Sequence, residues 1–184
     1  MPHECPACRC VICHDYGDRD EADRLDLRTV EQVQEHGWSV MMVPADDEGP
    51  GFAYTIGLWH THAVPELAVF GLDIQTMHAL LNTLGSRAAQ GAVLESGQEY
   101  REVVEARPVV LKETDLRWYR EFFGRAISFY RRPPFPVLQV VWPDAEGRYL
   151  WQPGADEHYR QSQPQSWLKP TEHPRGVWAT LVSG

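Results

Sequence analysis

The sequence predicts an α+β domain whose mainly antiparallel sheet can curl into a partial barrel and is packed with two or three helices. Three observations lead there. Short strand-like segments precede, interrupt and follow the helical stretches, without the regular strand–helix alternation of a parallel sheet. Sustained helical periodicity is confined to a few windows, and the apolar runs between them are only five to seven residues long. A chain of 184 residues with 43% hydrophobic content can build one sizeable core without disulfide staples.

The elements follow in order. Residues 1–17 form a cysteine-rich segment, residues 18–154 a single α+β body, and residues 155–184 a tail that packs on the body or is partly mobile. Residues 18–35 are highly charged, with Leu25, Leu27, Val30 and Val33 at helical intervals, and His36-Gly37 supplies the stop. Residues 38–43 and 52–58 read as two strands of a hairpin joined by an acidic, turn-rich loop over 44–50. A short loop with His60, His62 and Pro65 leads to a third strand over 67–72. Asp73 is a good N-cap for a helix to about Gln90, whose stripe of Met77, Leu80, Leu81 and Leu84 should cover one sheet face. Residues 91–104 and 108–112 read as extended, 115–130 as helical and 137–142 as an apolar strand ending at Pro143-Asp144. A second hairpin is expected from there through Arg148 to Trp151. The tail after Gln152 fits neither period.

Charge limits the partners. With 17 basic against 26 acidic residues the net charge is −9, which opposes a surface built to neutralise phosphates, so no nucleic acid is expected. Arg117, Arg120, Arg125, Arg131 and Arg132 alternate with Trp118, Tyr119, Phe122, Phe123 and Tyr130. They read as the solvated and core faces of an amphipathic stretch. No run approaches the ~18 apolar residues of a membrane span, and the first residues lack the basic and apolar regions of a secretory signal. No membrane partner and a cytoplasmic location are therefore expected, where cysteines stay reduced.

All four cysteines fall in the first thirteen residues, as Cys5-Pro-Ala-Cys8-Arg-Cys10-Val-Ile-Cys13, followed by His14. Soft thiolates at this density, with His3 and His14 beside them, point to a metal site, and zinc is the expected cofactor. Common zinc sites separate their two knuckles widely, whereas here only Arg9 lies between them. Four thiolates can surround one ion if the loop wraps tightly, or Cys10 and Cys13 can be completed by a histidine or carboxylate from the body. A redox dithiol, an iron–sulfur cluster and ordinary reduced thiols are the other readings.

A second group of residues suggests a small-molecule pocket. His60 and His62, two apart, would share one side of an extended segment, with Glu66 beside them as ligand or base. His78 lies one helical turn before Asn82. Tyr54 and Thr55 alternate across a strand, so one hydroxyl faces the core. Trp142 and Trp151 can wall a ligand that Asp144 and Arg148 anchor. Core packing and turn formation are the plainer roles for each of these. No phosphate-binding glycine fingerprint, G-x-S-x-G or H-E-x-x-H occurs, so no reaction is assigned.

Several ordered pieces carry a family resemblance: His36-Gly37-Trp38-Ser39-Val40, Phe52-Ala53-Tyr54-Thr55-Ile56-Gly57-Leu58, Pro65-Glu66-Leu67, Phe70-Gly71-Leu72 and Leu80-Leu81-Asn82. With Val141-Trp142-Pro143-Asp144, Gly147-Arg148 and Trp151-Gln152-Pro153-Gly154, the chain resembles the bacterial domain-of-unknown-function 4262 family from about Cys10 to Gly154. The resemblance implies a fold and no established activity. It also implies a C-x-x-C near the start, matched by Cys10 and Cys13, and a histidine before Pro65, where this chain has Val64. The leading expectation is a soluble bacterial protein that binds zinc through its N-terminal cysteines, with no assignable reaction. The alternatives are a small-molecule or cofactor-binding enzyme using a sheet cleft, and a protein-interaction or regulatory module.

Overall fold

The structure is a computed structural model that describes residues 8–104, 107–131 and 135–181. Helix α1 spans Arg24–His36. The Asp23 side chain accepts the Asp26 N–H at its start, and Gly37 ends it at φ 93°. Only Thr29 and Val33 are buried on it, while Leu25 and Leu27 are exposed, so its apolar contact comes from its C-terminal half rather than from the whole stripe. Strands β1 (Ser39–Val43) and β2 (Phe52–Ile56) form the expected antiparallel hairpin. The segment between β2 and the third strand is helical: α2 spans Leu58–His62.

Strand β3 (Glu66–Phe70) is followed by α3 (Ile74–Ala89), where Asp73 accepts the N–H groups of Gln75 and Thr76 as the expected cap. Strands β4 (Glu99–Val104) and β5 (Arg107–Glu113) pair antiparallel. The stretch expected as one helix over 115–130 is divided into a 3₁₀ turn at Leu116–Trp118, α4 (Tyr119–Phe122) and α5 (Gly124–Tyr130). The break lies at Phe123, whose φ of −117° and ψ of 35° leave helical space while its ring is fully buried. Strand β6 (Val137–Val141) completes a sheet of order β1-β2-β3-β6-β5-β4.

Strand β6 inserts between β3 and β5, parallel to the first and antiparallel to the second, and every residue of β3 and β6 is buried. The other pairings are antiparallel and the sheet is open, with β1 and β4 at its edges. Side chains alternate across it as the two-residue strand period requires. Ala53, Leu67, Val69, Leu138 and Val140 meet α3, whereas Tyr54, Ile56, Ala68, Phe70 and Val137 meet the aromatic residues of α4 and α5. Trp118, Tyr119, Phe122, Phe123 and Tyr130 are all buried there, and each large side chain so buried contributes about 1.5–3 kcal/mol. Arg117, Arg120 and Arg131 are exposed, as the sequence pattern predicts, and Arg132 lies outside the described residues.

The expected hairpin from Trp142 to Trp151 is instead a pair of turns. Asp144 and Arg148 close one, and Gln152 folds back to take the Tyr149 N–H at 2.7 Å, so no strand follows. Beyond it lie α6 (Glu157–Ser162), a 3₁₀ turn at Pro170–Glu172 and α7 (Val177–Thr180). This segment lies against the sheet end. The Gln163 amide accepts the Trp142 N–H at 3.1 Å and donates to the Trp142 carbonyl at 2.9 Å, acting as a one-residue strand partner. Gly71, at φ 80°, allows the approach, since a Cβ there would stand 2.3 Å from the Ser162 carbonyl oxygen. Seven α-helices occur among the described residues rather than two or three, because the stretch expected as one helix is divided into α4 and α5 and three others, α2, α6 and α7, are pieces of four to six residues that carry no periodic signal. No helix among the described residues is long and apolar enough to cross a membrane.

Candidate metal centre

Three cysteines of the N-terminal segment and one histidine of the body meet at a point. The His60 Nδ1 stands 3.6 Å from the Cys8 Sγ, 3.2 Å from the Cys10 Sγ and 3.4 Å from the Cys13 Sγ. All four ligand atoms lie within 4.8 Å of one another, close enough to hold a metal ion. A ring nitrogen makes one hydrogen bond, as donor or as acceptor, so three sulfurs around one nitrogen are not a hydrogen-bonding pattern. Their spacing is compatible with one shared metal ion: in a tetrahedral site with metal–sulfur bonds of about 2.3 Å and metal–nitrogen bonds of about 2.1 Å, the S···N edges are about 3.6 Å.

The local chain explains how each donor arrives. The His14 N–H bonds the Cys10 carbonyl at 3.0 Å, which closes the Cys10-Val-Ile-Cys13 knuckle, and the Val11 N–H bonds the Phe129 carbonyl at 2.9 Å, which docks it on α5. The Tyr16 hydroxyl donates to the Arg9 carbonyl. Cys8 and Cys10 are buried and Cys13 is exposed. The Cys10 thiol, as hydrogen-bond donor, holds Cys8 far below the ordinary cysteine range against the opposing effect of burial. The same contact, with burial, pushes Cys10 up.

His60 arrives on α2, a helix too short to stand alone. Gly57, at φ 113°, opens it beneath Val33, and a Cβ there would meet the Val33 methyls at 2.8 and 2.9 Å. Glu66, 1% exposed, accepts the Thr55 hydroxyl at 2.6 Å and the N–H groups of Gly57, Leu58 and Trp59 at 2.8, 3.3 and 3.2 Å. The Tyr130 hydroxyl donates to Glu66 and accepts the N–H groups of Gly57 and His60, each at 3.2 Å. Burial, then the Glu66 charge, pushes the Tyr130 phenol well above its ordinary value, so it keeps its proton. Burial also raises the Glu66 carboxyl, against the pull of its donors.

The other residues singled out in the sequence go elsewhere. Cys5 and His3 lie outside the described residues. The His14 Nε2 engages the Cys8 carbonyl at 3.1 Å and stands apart from the four-residue group. The helical turn separates His60 from His62, because residues two apart on a helix point to nearly opposite sides, unlike on the expected extended segment. His62 lies edge-on to Trp38 at 6.2 Å, and burial lowers its pKa. His78 meets Asn82, whose Oδ1 accepts the Trp38 indole N–H at 3.0 Å. Tyr54 is packed edge-on against Phe123, and Thr55 serves Glu66.

At the other end of the sheet, the Trp142 indole donates to the Phe70 carbonyl at 2.7 Å. Asp144 accepts the N–H groups of Glu146, Arg148 and Asp156 and an Arg148 guanidinium N–H. Trp151 stacks on Tyr149 at 4.9 Å beneath Lys112. None of these residues lines the groove of about 480 Å³ between the N-terminal segment, α1 and α5, which is lined by Val11, His14, Val30 and Phe129 among others. Among its charged residues, Arg125 pairs with Asp23 and Asp26, and Arg131 with Asp18. Sequence reasoning missed Phe129 and Tyr130, and no local signal marks them, since Tyr130 is 70 residues from His60.

No curated protein and no solved structure matches the chain significantly. Residues 32–156 match the family described as Domain of unknown function (DUF4262), a span that takes in His60, Glu66 and Tyr130 and begins after the cysteines. The chain therefore belongs to the DUF4262 family.

Proposed function

We propose that this protein binds one zinc ion through Cys8, Cys10, Cys13 and His60, and that the ion is structural. The supporting observation is the His60 nitrogen at 3.2–3.6 Å from three cysteine sulfurs that reach it from about 50 residues away. Three thiolates and an imidazole suit zinc over hard cations, which prefer oxygen ligands. With four protein donors no position is left open for a substrate, so the ion fastens residues 1–17 to the body formed by residues 18–154. A reduced thiolate centre of this kind fits a cytoplasmic protein.

Elemental analysis with a thiol count, on protein purified under reducing and chelator-free conditions, tests this reading. About one zinc per chain with three protected thiols is expected. No metal, with all thiols freely reactive, overturns it.

A further inference from the structure

Both halves of the zinc site rest on the same two consecutive residues of α5. The Phe129 carbonyl takes the Val11 N–H of the cysteine knuckle, and the Phe129 ring stands edge-on to the His60 ring at 6.3 Å. The hydroxyl of the next residue, Tyr130, accepts the His60 N–H and donates its own hydrogen bond to Glu66. A phenol has one donor and two acceptor positions. Here all three are filled, by Glu66, Gly57 and His60. Glu66 and Tyr130 together take up the first four N–H groups of α2, which no helical carbonyl can reach.

We propose that Tyr130, held by Glu66, is the positioning residue of the metal centre: it sets the α2 turn so that His60 presents Nδ1 to the cysteines before any metal arrives. This rests on the zinc reading above. A five-residue helix lacks the length to form by itself, so without these partners the turn would be ordered only by the ion, and the ordering cost would weaken metal affinity. Outer partners of metal-binding histidines elsewhere change affinity by about 10–100-fold when removed.

The test is cobalt(II) titration of the full chain, with chelator competition and absorption spectra, on wild type, Tyr130→Phe and Tyr119→Phe. Tyr130→Phe keeps the ring stacked on Phe135 at 4.6 Å and removes only the hydroxyl. It is expected to bind cobalt about 10–100-fold more weakly, with altered d–d bands as the imidazole ligand becomes loose. Tyr119→Phe removes a buried hydroxyl bonded to the Phe135 carbonyl and should leave both readouts unchanged. Equal affinity and identical spectra for wild type and Tyr130→Phe overturn the proposal while the zinc reading stands. A wild type that takes up no cobalt overturns both. Hydrogen exchange on metal-free wild type adds a check independent of any variant: amides 57–60 should be protected without metal, and protection appearing only on metal addition defeats the assignment.

Discussion

The two ends of the sheet carry the same kinds of residue and use them in opposite ways. Around β6 and its following turn, Asp144 faces four donors and the Trp142 indole has a carbonyl, so both of these polar side chains are satisfied within that end. Around α2, the outer polar groups are equally well satisfied, and beside them three sulfurs and one nitrogen lie within 4.8 Å of one another, close enough to hold a metal ion. A cluster of polar residues in sequence therefore signals a turn as readily as a site. What separates them is whether donor and acceptor capacity is exhausted inside the cluster.

The largest test of this contrast removes the metal ligands. Cys10→Ser with Cys13→Ser should abolish metal content and lower the melting temperature by about 10 °C, taking about 4 kcal/mol for an ion present at ~1,000 times its dissociation constant and ~2–4 °C per kcal/mol. Unchanged melting alongside lost metal would show that the ion holds nothing in place. Calorimetry with parallel metal analysis reads both.

A smaller, pH-dependent effect is expected at the opposite end. Burial works against the charge of Asp144, but the N–H groups of Arg148, Asp156 and Glu146, with the Arg148 guanidinium, outweigh it and hold the carboxyl below its ordinary range. The unfolded chain then binds this proton more tightly than the folded one. Its contribution to stability is complete above about pH 4 and is lost as pH falls through the depressed folded value. Asp144→Asn should lower the melting temperature at neutral pH, flatten its acid-side slope and leave metal content unchanged. A loss of metal in this variant would erase the distinction between the two ends.

The smallest effect concerns the aromatic surface beside that turn, where the Lys112 ammonium lies 4.7 Å from the Trp151 ring centre. Lys112→Gln should cost about 0.5–1 kcal/mol, or roughly 2 °C, in thermal melts. A much larger shift would mean that Trp151 supports the fold rather than decorating it.

What could be read from the sequence was what short-range chemistry decides. The bounds of α3 follow from Asp73 and a four-residue apolar stripe, the β1–β2 hairpin from alternation around a turn-rich loop, and the N-terminal segment as a candidate metal site from thiol density. Tertiary structure decided the rest. Whether residues 58–62 are helix or loop depends on Glu66 and on Tyr130, 70 residues away from His60, and that choice brings His60 rather than His62 beside the three cysteines. The parallel insertion of β6 and the path of the last segment depend likewise on burial against distant strands and on side chains such as Gln163 that replace backbone partners. Periodicity and caps act over a few residues, whereas a short helix and a buried carboxylate are stable only where remote donors converge on them.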